Sequence, residues 1–396
     1  MSGNILVLGA GIYQIPIIER VKRLGFNAHV VSRPGPYPGI KLADQFHAID
    51  TTDVDSVLRL ARKLQVIASI TAGSDVCIPT IGAINDALNL PGIKRDTADL
   101  MTYKNRFREF QQANNLSHPA FSVATSTEEC LQHLKNFGSP AIIKPVDSSG
   151  SRGISKVSIR EPEHLKVCFK RALSVSRGKR VCIESVISGT EVGGNALLYG
   201  GNVHFLAITA KHMQGFLVEG HSYPTNISQS KQDQIKMALI ECCALLGYDD
   251  GALNFDVMVD GKTVVIIELG ARFGGNGLTD LTERAFGYDI QTEMIKSILK
   301  VKPKEPLFQP VQACGSYVFG SPKNGTLTHI DDHSVVQEQL PWVSSISLSY
   351  NIGDKVPKMQ SNADLIGYAT FDIPENSSWE VCRDKIKSAI NLKVES

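Results

Sequence analysis

Two acid-bearing strands and two cation-bearing loops carry the residue types from which chemistry can be argued in this chain. The run Ile266-Ile267-Glu268-Leu269-Gly270-Ala271-Arg272-Phe273-Gly274-Gly275-Asn276 delivers a carboxylate at the end of an apolar strand. It sets a guanidinium four residues later and then frees the backbone with paired glycines. Asp256 lies in a second strand-like run, Ala252 to Val259, and Asp260-Gly261-Lys262 separates the two. Asp-Gly between β-rich segments reads as a hairpin, which brings Asp256 and Glu268 together across neighbouring strands. Two close carboxylates repel unless a cation sits between them, and hard oxygen ligands suit Mg²⁺ with phosphate. Taken alone, Glu268 beside Arg272 also reads as an ordinary salt bridge.

A second constellation begins at Ala141-Ile142-Ile143-Lys144-Pro145, an apolar strand ending in a lysine, followed by Val146-Asp147-Ser148-Ser149-Gly150-Ser151-Arg152-Gly153. Small residues let backbone N–H groups approach an anion, Lys144 adds a point charge, and the serine hydroxyls can donate to phosphate oxygens. This is not a P-loop, because the lysine precedes the loop. The competing reading is a β-hairpin with a flexible tip. In Val181 to Val192, a strand ends in Glu184 and a Gly-Thr-Glu turn ends in Glu191. Both acids can accept from an adenine amino group or ribose hydroxyls, or simply face solvent. His204, His212 and His221 are candidate bases or packing histidines. Arg33, Tyr37 and Ser74 are candidate substrate contacts or surface-loop residues.

The elements that position these residues follow from composition and pattern. The chain has 396 residues, suited to two or three domains. With 42% apolar and 20% charged residues and a net charge of +1, it is a globular composition that gives no support to nucleic-acid binding. No apolar run approaches a membrane span. Ile5 to Leu8 reads as a first strand and not a signal peptide. Eight scattered cysteines without a C-x-x-C pair imply reduced thiols in a cytoplasmic protein, and Cys242 and Cys243 read as core.

Residues 4 to 93 alternate strand and helix as a parallel α/β unit, with helices at Ile12 to Leu24, Asp53 to Leu64 and Ile78 to Leu88. Gly9-Ala10-Gly11 opens it, but Gln14 stands where the dinucleotide fingerprint needs a third glycine. Ser32-Arg33 ends the second strand without an acid for a ribose, so a tight strand–helix turn is the better reading. Residues 97 to 136 read as helical with an extended break near Pro119 to Val123. Residues 180 to 270 are mostly strand, interrupted by a helix near Lys231 to Leu246. Glu283 to Leu299 reads as one helix, Pro303 to Pro310 as a linker, and Trp379 to Ile390 as a helix closing a β-rich tail.

Lys104, Lys144 with its loop, Glu184 to Glu191, Asp256, Glu268 and Arg272 stand in the order and spacing of the ATP-grasp superfamily. The chain resembles its carboxylate–amine ligases from about residue 4 to the end, and is similar to the purine-biosynthesis ATP-grasp enzymes and the L-amino-acid ligases. The resemblance implies an α/β and α+β multidomain architecture. A parallel α/β N-terminal (pre-ATP-grasp) domain, 1–96, would precede a two-lobed ATP-grasp domain, 97–302, with a small lidded lobe at about 117–186. A β-rich C-terminal subdomain, 303–396, would complete the large lobe.

The resemblance also implies roles. Lys104 and Lys144 would hold ATP phosphates, and Ser148, Ser149, Gly150, Ser151 and Gly153 would belong to a lid. Glu184 and the backbone of Ile187 would meet adenine, Glu191 the ribose, and Lys211 the transferred phosphate. Asp256 and Glu268 would coordinate Mg²⁺ (or Mn²⁺), Arg272 would face the acyl phosphate, and Gly274, Gly275, Asn276 and Ser74 would contact substrate. Many relatives have an asparagine as a third metal ligand where this chain has Gly270, so water and phosphate, or Asn254 or Asn276, would complete the site. The function implied is ATP-dependent joining of a small-molecule carboxylate and amine, with neither nucleic acid nor membrane as partner and with dimerisation through N-terminal domains. Two alternatives are an NAD(P)-dependent dehydrogenase using Gly9 to Gly11, and a nucleotide-binding regulator with a degenerate site.

Overall fold

The computed structural model describes residues 3–137, 139–261, 263–307 and 309–395. Lys262 of the predicted hairpin turn and Phe308 of the predicted linker lie outside the described residues. The first sheet is parallel, in the order β3-β2-β1-β4, with β1 Asn4–Leu8, β2 Asn27–Ser32, β3 Gln45–Ala48 and β4 Ala68–Ile70. Ile5 to Leu8 are buried on both faces, as a continuous apolar run in a parallel sheet requires. β3 is not anticipated from the sequence: it is an edge strand of four residues, Gln45-Phe46-His47-Ala48, too short for its alternation to stand out. The helix Val54–Leu64 starts where Asp53 accepts from the Ser56 N–H at 3.1 Å.

The Gly9–Gly11 turn is filled by a side chain. The Gly11 N–H donates to Gln14 Oε1 at 2.8 Å, and Gln14 Nε2 donates to the Ala72 carbonyl. Gly9 has φ +100°, and a Cβ there would lie 2.9 Å from Gln14 Cδ. A pyrophosphate needs the space and the amide that Gln14 holds, so the dehydrogenase reading is overturned.

A second, antiparallel sheet has the order β5-β8-β6-β7, from β5 Phe121–Ala124, β6 Ala141–Pro145, β7 Ser155–Val157 and β8 Val181–Ser185. Helices Thr127–Phe137 and Pro162–Val175 complete a separate small core around Leu134, Ile143, Leu165, Phe169 and Ile183. The second of these helices was also not anticipated, although Leu165, Phe169 and Ala172 stand at helical spacing behind a proline at its first position.

The largest sheet has eight antiparallel strands in the order β13-β12-β9-β10-β11-β14-β18-β16. Its members are β9 Thr190–Tyr199, β10 Asn202–Gln214, β11 Leu217–Tyr223, β12 Gly251–Val259, β13 Val264–Gly270 and β14 Cys314–Phe319, with β16 Val343–Leu348 and β18 Gly367–Asp372 from the C-terminal part. β15 Gly325–His329, β17 Lys355–Val356 and β19 Lys393–Glu395 form a fourth, small sheet. The expected single helix Glu283 to Leu299 is two, Leu278–Phe286 and Ile290–Ile298. Gly287, at φ +60°, ends the first, and Asp289 caps the second by accepting from the Thr292 N–H at 3.2 Å. All eight cysteines are buried and unpaired. No helix among the described residues is long and apolar enough to cross a membrane.

Candidate active site

A cleft of about 490 Å³ lies where the small four-stranded lobe faces the eight-stranded sheet. Its floor is the β12–β13 hairpin. The register pairs Asp256 directly with Glu268, so both carboxylates stand on one face of adjacent strands. Lysines separate them from other acids. Lys211 Nζ contacts Glu191 Oε1 at 2.5 Å and Asp256 Oδ1 at 2.8 Å, and Lys104 Nζ contacts Glu268 Oε1 at 3.0 Å. Burial raises the Asp256 pKa; Lys211 opposes this, but Glu191 and Glu268 add to it. Burial would also raise Glu268, yet Lys104, Lys144 and Arg272 outweigh it and hold that carboxyl at about 2. An acid cluster that keeps one member raised despite a neighbouring lysine is a place where a further cation is stabilised. The two facing carboxylates therefore fit Mg²⁺. Among the described residues no third His, Cys, Asp or Glu joins them in a metal-binding group, so water and phosphate oxygens would complete an octahedron.

Neither asparagine considered as a compensating ligand has a free carbonyl oxygen. Asn254 Oδ1 accepts from Arg272 Nη1 at 2.9 Å, and Asn276 Oδ1 accepts from the Tyr13 hydroxyl at 2.8 Å. Gly270 has a local reason: a Cβ there would lie 3.0 Å from Asp75 Oδ1 and 3.4 Å from Arg272 Cζ. The glycine leaves room for an ion pair that crosses over it. Arg272 Nε and Nη2 donate to the two oxygens of Asp75 at 2.7 and 2.6 Å, a bidentate pair between residues 197 apart in sequence. The Arg272 that the resemblance turns toward the acyl phosphate is in this structure held by Asp75 through Nε and Nη2, and by Asn254 through Nη1.

The opposite wall is β6 and β8. Glu184, 4% exposed, lies between Arg108 (Nε–Oε1 3.0 Å) and Lys144 (Nζ–Oε2 2.8 Å). Burial would raise its pKa, but Arg108 and then Lys144 hold it at about 2. The resemblance implies that Glu184 meets adenine. Instead both oxygens are engaged, and the residue fixes Lys144. Its partner Arg108 was missed, although Lys104, Arg108 and Gln111 lie at spacings of four and three on one helix and all three are buried.

The pH consequence has a definite sign. Glu184 and Glu268 have folded-state pKa values below the ordinary glutamate value, so their stabilisation is complete above about pH 4.3 and is lost as pH falls toward about 2. Unfolding free energy followed from pH 6 to pH 3 will fall, and Glu184→Gln will give a shallower slope in that window. An unchanged slope would contradict the assignment.

The Ser/Gly loop is folded over the cleft. Lys104 Nζ donates to the Ser148 carbonyl at 2.6 Å, and the Gly150 carbonyl accepts from the Asn362 N–H at 3.0 Å. Asn362 in turn pairs its side chain with the Val218 N–H and carbonyl at 3.0 and 2.8 Å. Ser148, Ser149, Gly150 and Ser151 line the cleft. Gly153 does not: a Cβ there would meet Val175, Pro145 and Ala172 between 2.9 and 3.1 Å, so it is a glycine of close packing within the small lobe. Ser74 is likewise replaced in the lining by its neighbours Gly73 and Asp75.

Ile187, Gly274, Gly275 and Asn276 line the cleft as expected. A Cβ on Gly275 would lie 2.7 Å from Tyr13 Cζ, and the Gly274 N–H donates to Asn195 Oδ1 at 2.9 Å. Of the three histidines, only His221 lines the cleft. Burial, with Lys211 nearby, pushes its pKa well below the usual value, so it is neutral and faces Thr209 Oγ1 at 2.9 Å. His212 stacks on Trp379 and His204 contacts the Lys304 carbonyl.

Residues 137–280 match the ATP-grasp domain model. Formate-dependent phosphoribosylglycinamide formyltransferase from Rhodococcus jostii is 26% identical over 317 residues, covering 74% of each chain. Among solved structures, the L-amino acid ligase from Bacillus licheniformis superposes with a TM-score of 0.79 at 20% identity, covering 100% of this chain and 99% of its own. Phosphoribosylglycinamide synthetase from Anaerococcus prevotii superposes with a TM-score of 0.76 at 22% identity, covering all of both chains.

Proposed function

We propose that the chain is an ATP-grasp enzyme, an ATP-dependent carboxylate–amine ligase that forms an amide through an acyl phosphate and releases ADP and phosphate. One observation carries this reading. Lys104, Lys144, the Asp256–Glu268 pair and Arg272 converge on a single cleft beneath a Ser/Gly loop. The names of the similar proteins, a formyltransferase, a synthetase and a ligase, point the same way. The regulator alternative was motivated by Gly270, which the Asp75–Arg272 pair accounts for.

In this reading the adenine lies against Ile142, Val186, Ile187 and Met258, and Glu191 takes the ribose hydroxyls. Lys104 and Lys144 neutralise the phosphates from two sides, with the backbone of Ser148 to Ser151 above them. Asp256 and Glu268 would hold Mg²⁺, which supplies charge neutralisation at the transferred phosphate. A carboxylate is a poor acyl donor because oxide would have to leave; phosphorylation supplies a better leaving group. The amine then attacks: its N–C bond forms, the C–O bond to phosphate breaks, phosphate departs with the electron pair, and the proton lost from nitrogen ends on the departing phosphate. Arg272, oriented by Asp75, would donate to the tetrahedral oxyanion through the second N–H of Nη2, since Nε, Nη1 and the other Nη2 hydrogen are engaged. The loop, docked on Asn362, keeps water from the acyl phosphate.

ADP release measured against panels of carboxylates and amines tests this directly. It should require one of each, and Lys144→Ala should lower kcat/KM for ATP by roughly 10²-fold or more. Turnover unaffected by Lys144→Ala would overturn the phosphate-site assignment.

A further inference from the structure

Behind the Ser148 loop lies a second cavity, of about 470 Å³, formed where the start of the helix after β4, the stretch 99–106 and the small lobe's Arg177–Arg180 turn meet. We infer that it is a subsite for a phosphoryl dianion: the phosphate released by the ligase reaction, or a phosphomonoester carried by a substrate. This rests on the ligase reading for its purpose, but not for its chemistry.

The chemistry follows from which groups are already engaged. Every acid on the wall has partners. Asp75 is held by Arg272, Glu268 by Lys104, Asp99 faces Arg95 and Arg106, and Asp147 accepts from the N–H groups of Arg177 and Gly178 at 3.1 and 2.7 Å. The donors are not satisfied in the same way. Arg177 and Arg180 are exposed residues whose guanidinium groups make no hydrogen bond or ion pair within 4 Å among the described residues, although Arg177 helps to lower the Asp50 pKa, and Arg106 has one nitrogen on Asp99. Ser148 Oγ is buried without a partner, on a residue only 8% exposed that lines both cavities. Asp75, Asp99 and Glu268 are ion-paired and Asp147 is hydrogen-bonded to backbone amides, so the three arginines and the Ser148 hydroxyl leave donors in excess, which suits an acceptor-only anion. Three phosphate oxygens suit planar guanidinium forks and a hydroxyl donor.

Position supplies the link to the reaction. The two cavities share Asp75, Ser148, Ser149 and Glu268, so the second opens beside the loop and acid assigned to the nucleotide phosphates. When the acyl phosphate's C–O bond breaks, ADP still fills the main cleft. The adjoining cavity, with three arginines in its wall, is the neighbouring space for a dianion leaving the site.

The test uses the full chain saturated with MgADP, titrated calorimetrically with inorganic phosphate and, separately, with glycerol 3-phosphate. Binding is expected with a dissociation constant on the order of millimolar. The Arg177→Ala, Arg180→Ala double variant should weaken it about tenfold or more while MgADP affinity stays within about twofold, and the corresponding double Lys variant should retain part of it. Phosphate binding tighter than the phosphomonoester identifies a product site; the reverse identifies a site for a phosphorylated substrate. Absence of both, or an alanine variant within about twofold of the parent, overturns the inference. Failure of the ligase reading would appear elsewhere, as ADP release independent of added acid and amine with phosphate binding intact.

Discussion

Arg272→Lys should lower kcat by roughly 10²–10³-fold while leaving the affinity for a non-hydrolysable MgATP analogue within about threefold. Arg272 holds Asp75 with two nitrogens and Asn254 with a third, in a fixed planar fork. An ammonium is a single point charge and cannot reproduce that geometry, so it loses the orientation needed to donate to a tetrahedral oxyanion. The loss belongs to the chemical step because the adenine wall, Lys104 and Lys144 are untouched. Steady-state ADP release and equilibrium binding, measured on the same preparation, separate the two quantities. Collapse of nucleotide affinity would instead make Arg272 a ligand of ATP.

Glu268→Gln should cost more, because Glu268 serves two cations. It neutralises Lys104 at 3.0 Å and, opposite Asp256, offers a hard oxygen to Mg²⁺. The amide keeps the shape and removes the charge. Loss of a metal's charge stabilisation is worth several kcal/mol, so kcat/KM for ATP should fall roughly 10³-fold and half-saturation by Mg²⁺ should rise at least about tenfold. A magnesium titration of ADP release checks both. A variant with the parent's magnesium dependence would remove Glu268 from the metal site.

The floor of this cleft was legible because its signal is local. Asp-Gly between two β-rich runs predicts a hairpin, and the register that follows pairs Asp256 with Glu268. The loop after Lys144 was legible for the same reason, as a strand end followed by small residues. The electrostatic partners were not. Asp75 meets Arg272 across 197 residues and Arg108 meets Glu184 across 76, and no periodicity couples such positions. The misassigned glycine, Gly153, shows a related limit. Gly150 and Gly153 both have positive φ within one loop, yet one lines the cleft while the other packs against the helix Pro162–Val175, an element that sequence reading had not found. Gly270 is the reverse case: it resembled a lost metal ligand, and its cause is the ion pair that crosses it. The resemblance implies that the C-terminal part completes the large lobe, but the order in which β14, β18 and β16 extend the sheet leaves no spacing signal in the chain.

The central claim is that a carboxylate is activated by phosphoryl transfer from ATP in the cleft between Lys144 and Arg272. The most direct measurement uses the acid that stimulates ADP release, labelled in its carboxylate with oxygen-18, together with its amine partner. The phosphate released is then analysed by mass spectrometry. An acyl phosphate transfers one labelled oxygen to each phosphate formed, in equal number to the amide bonds made. Unlabelled phosphate, formed while ADP and amide accumulate, would contradict the account.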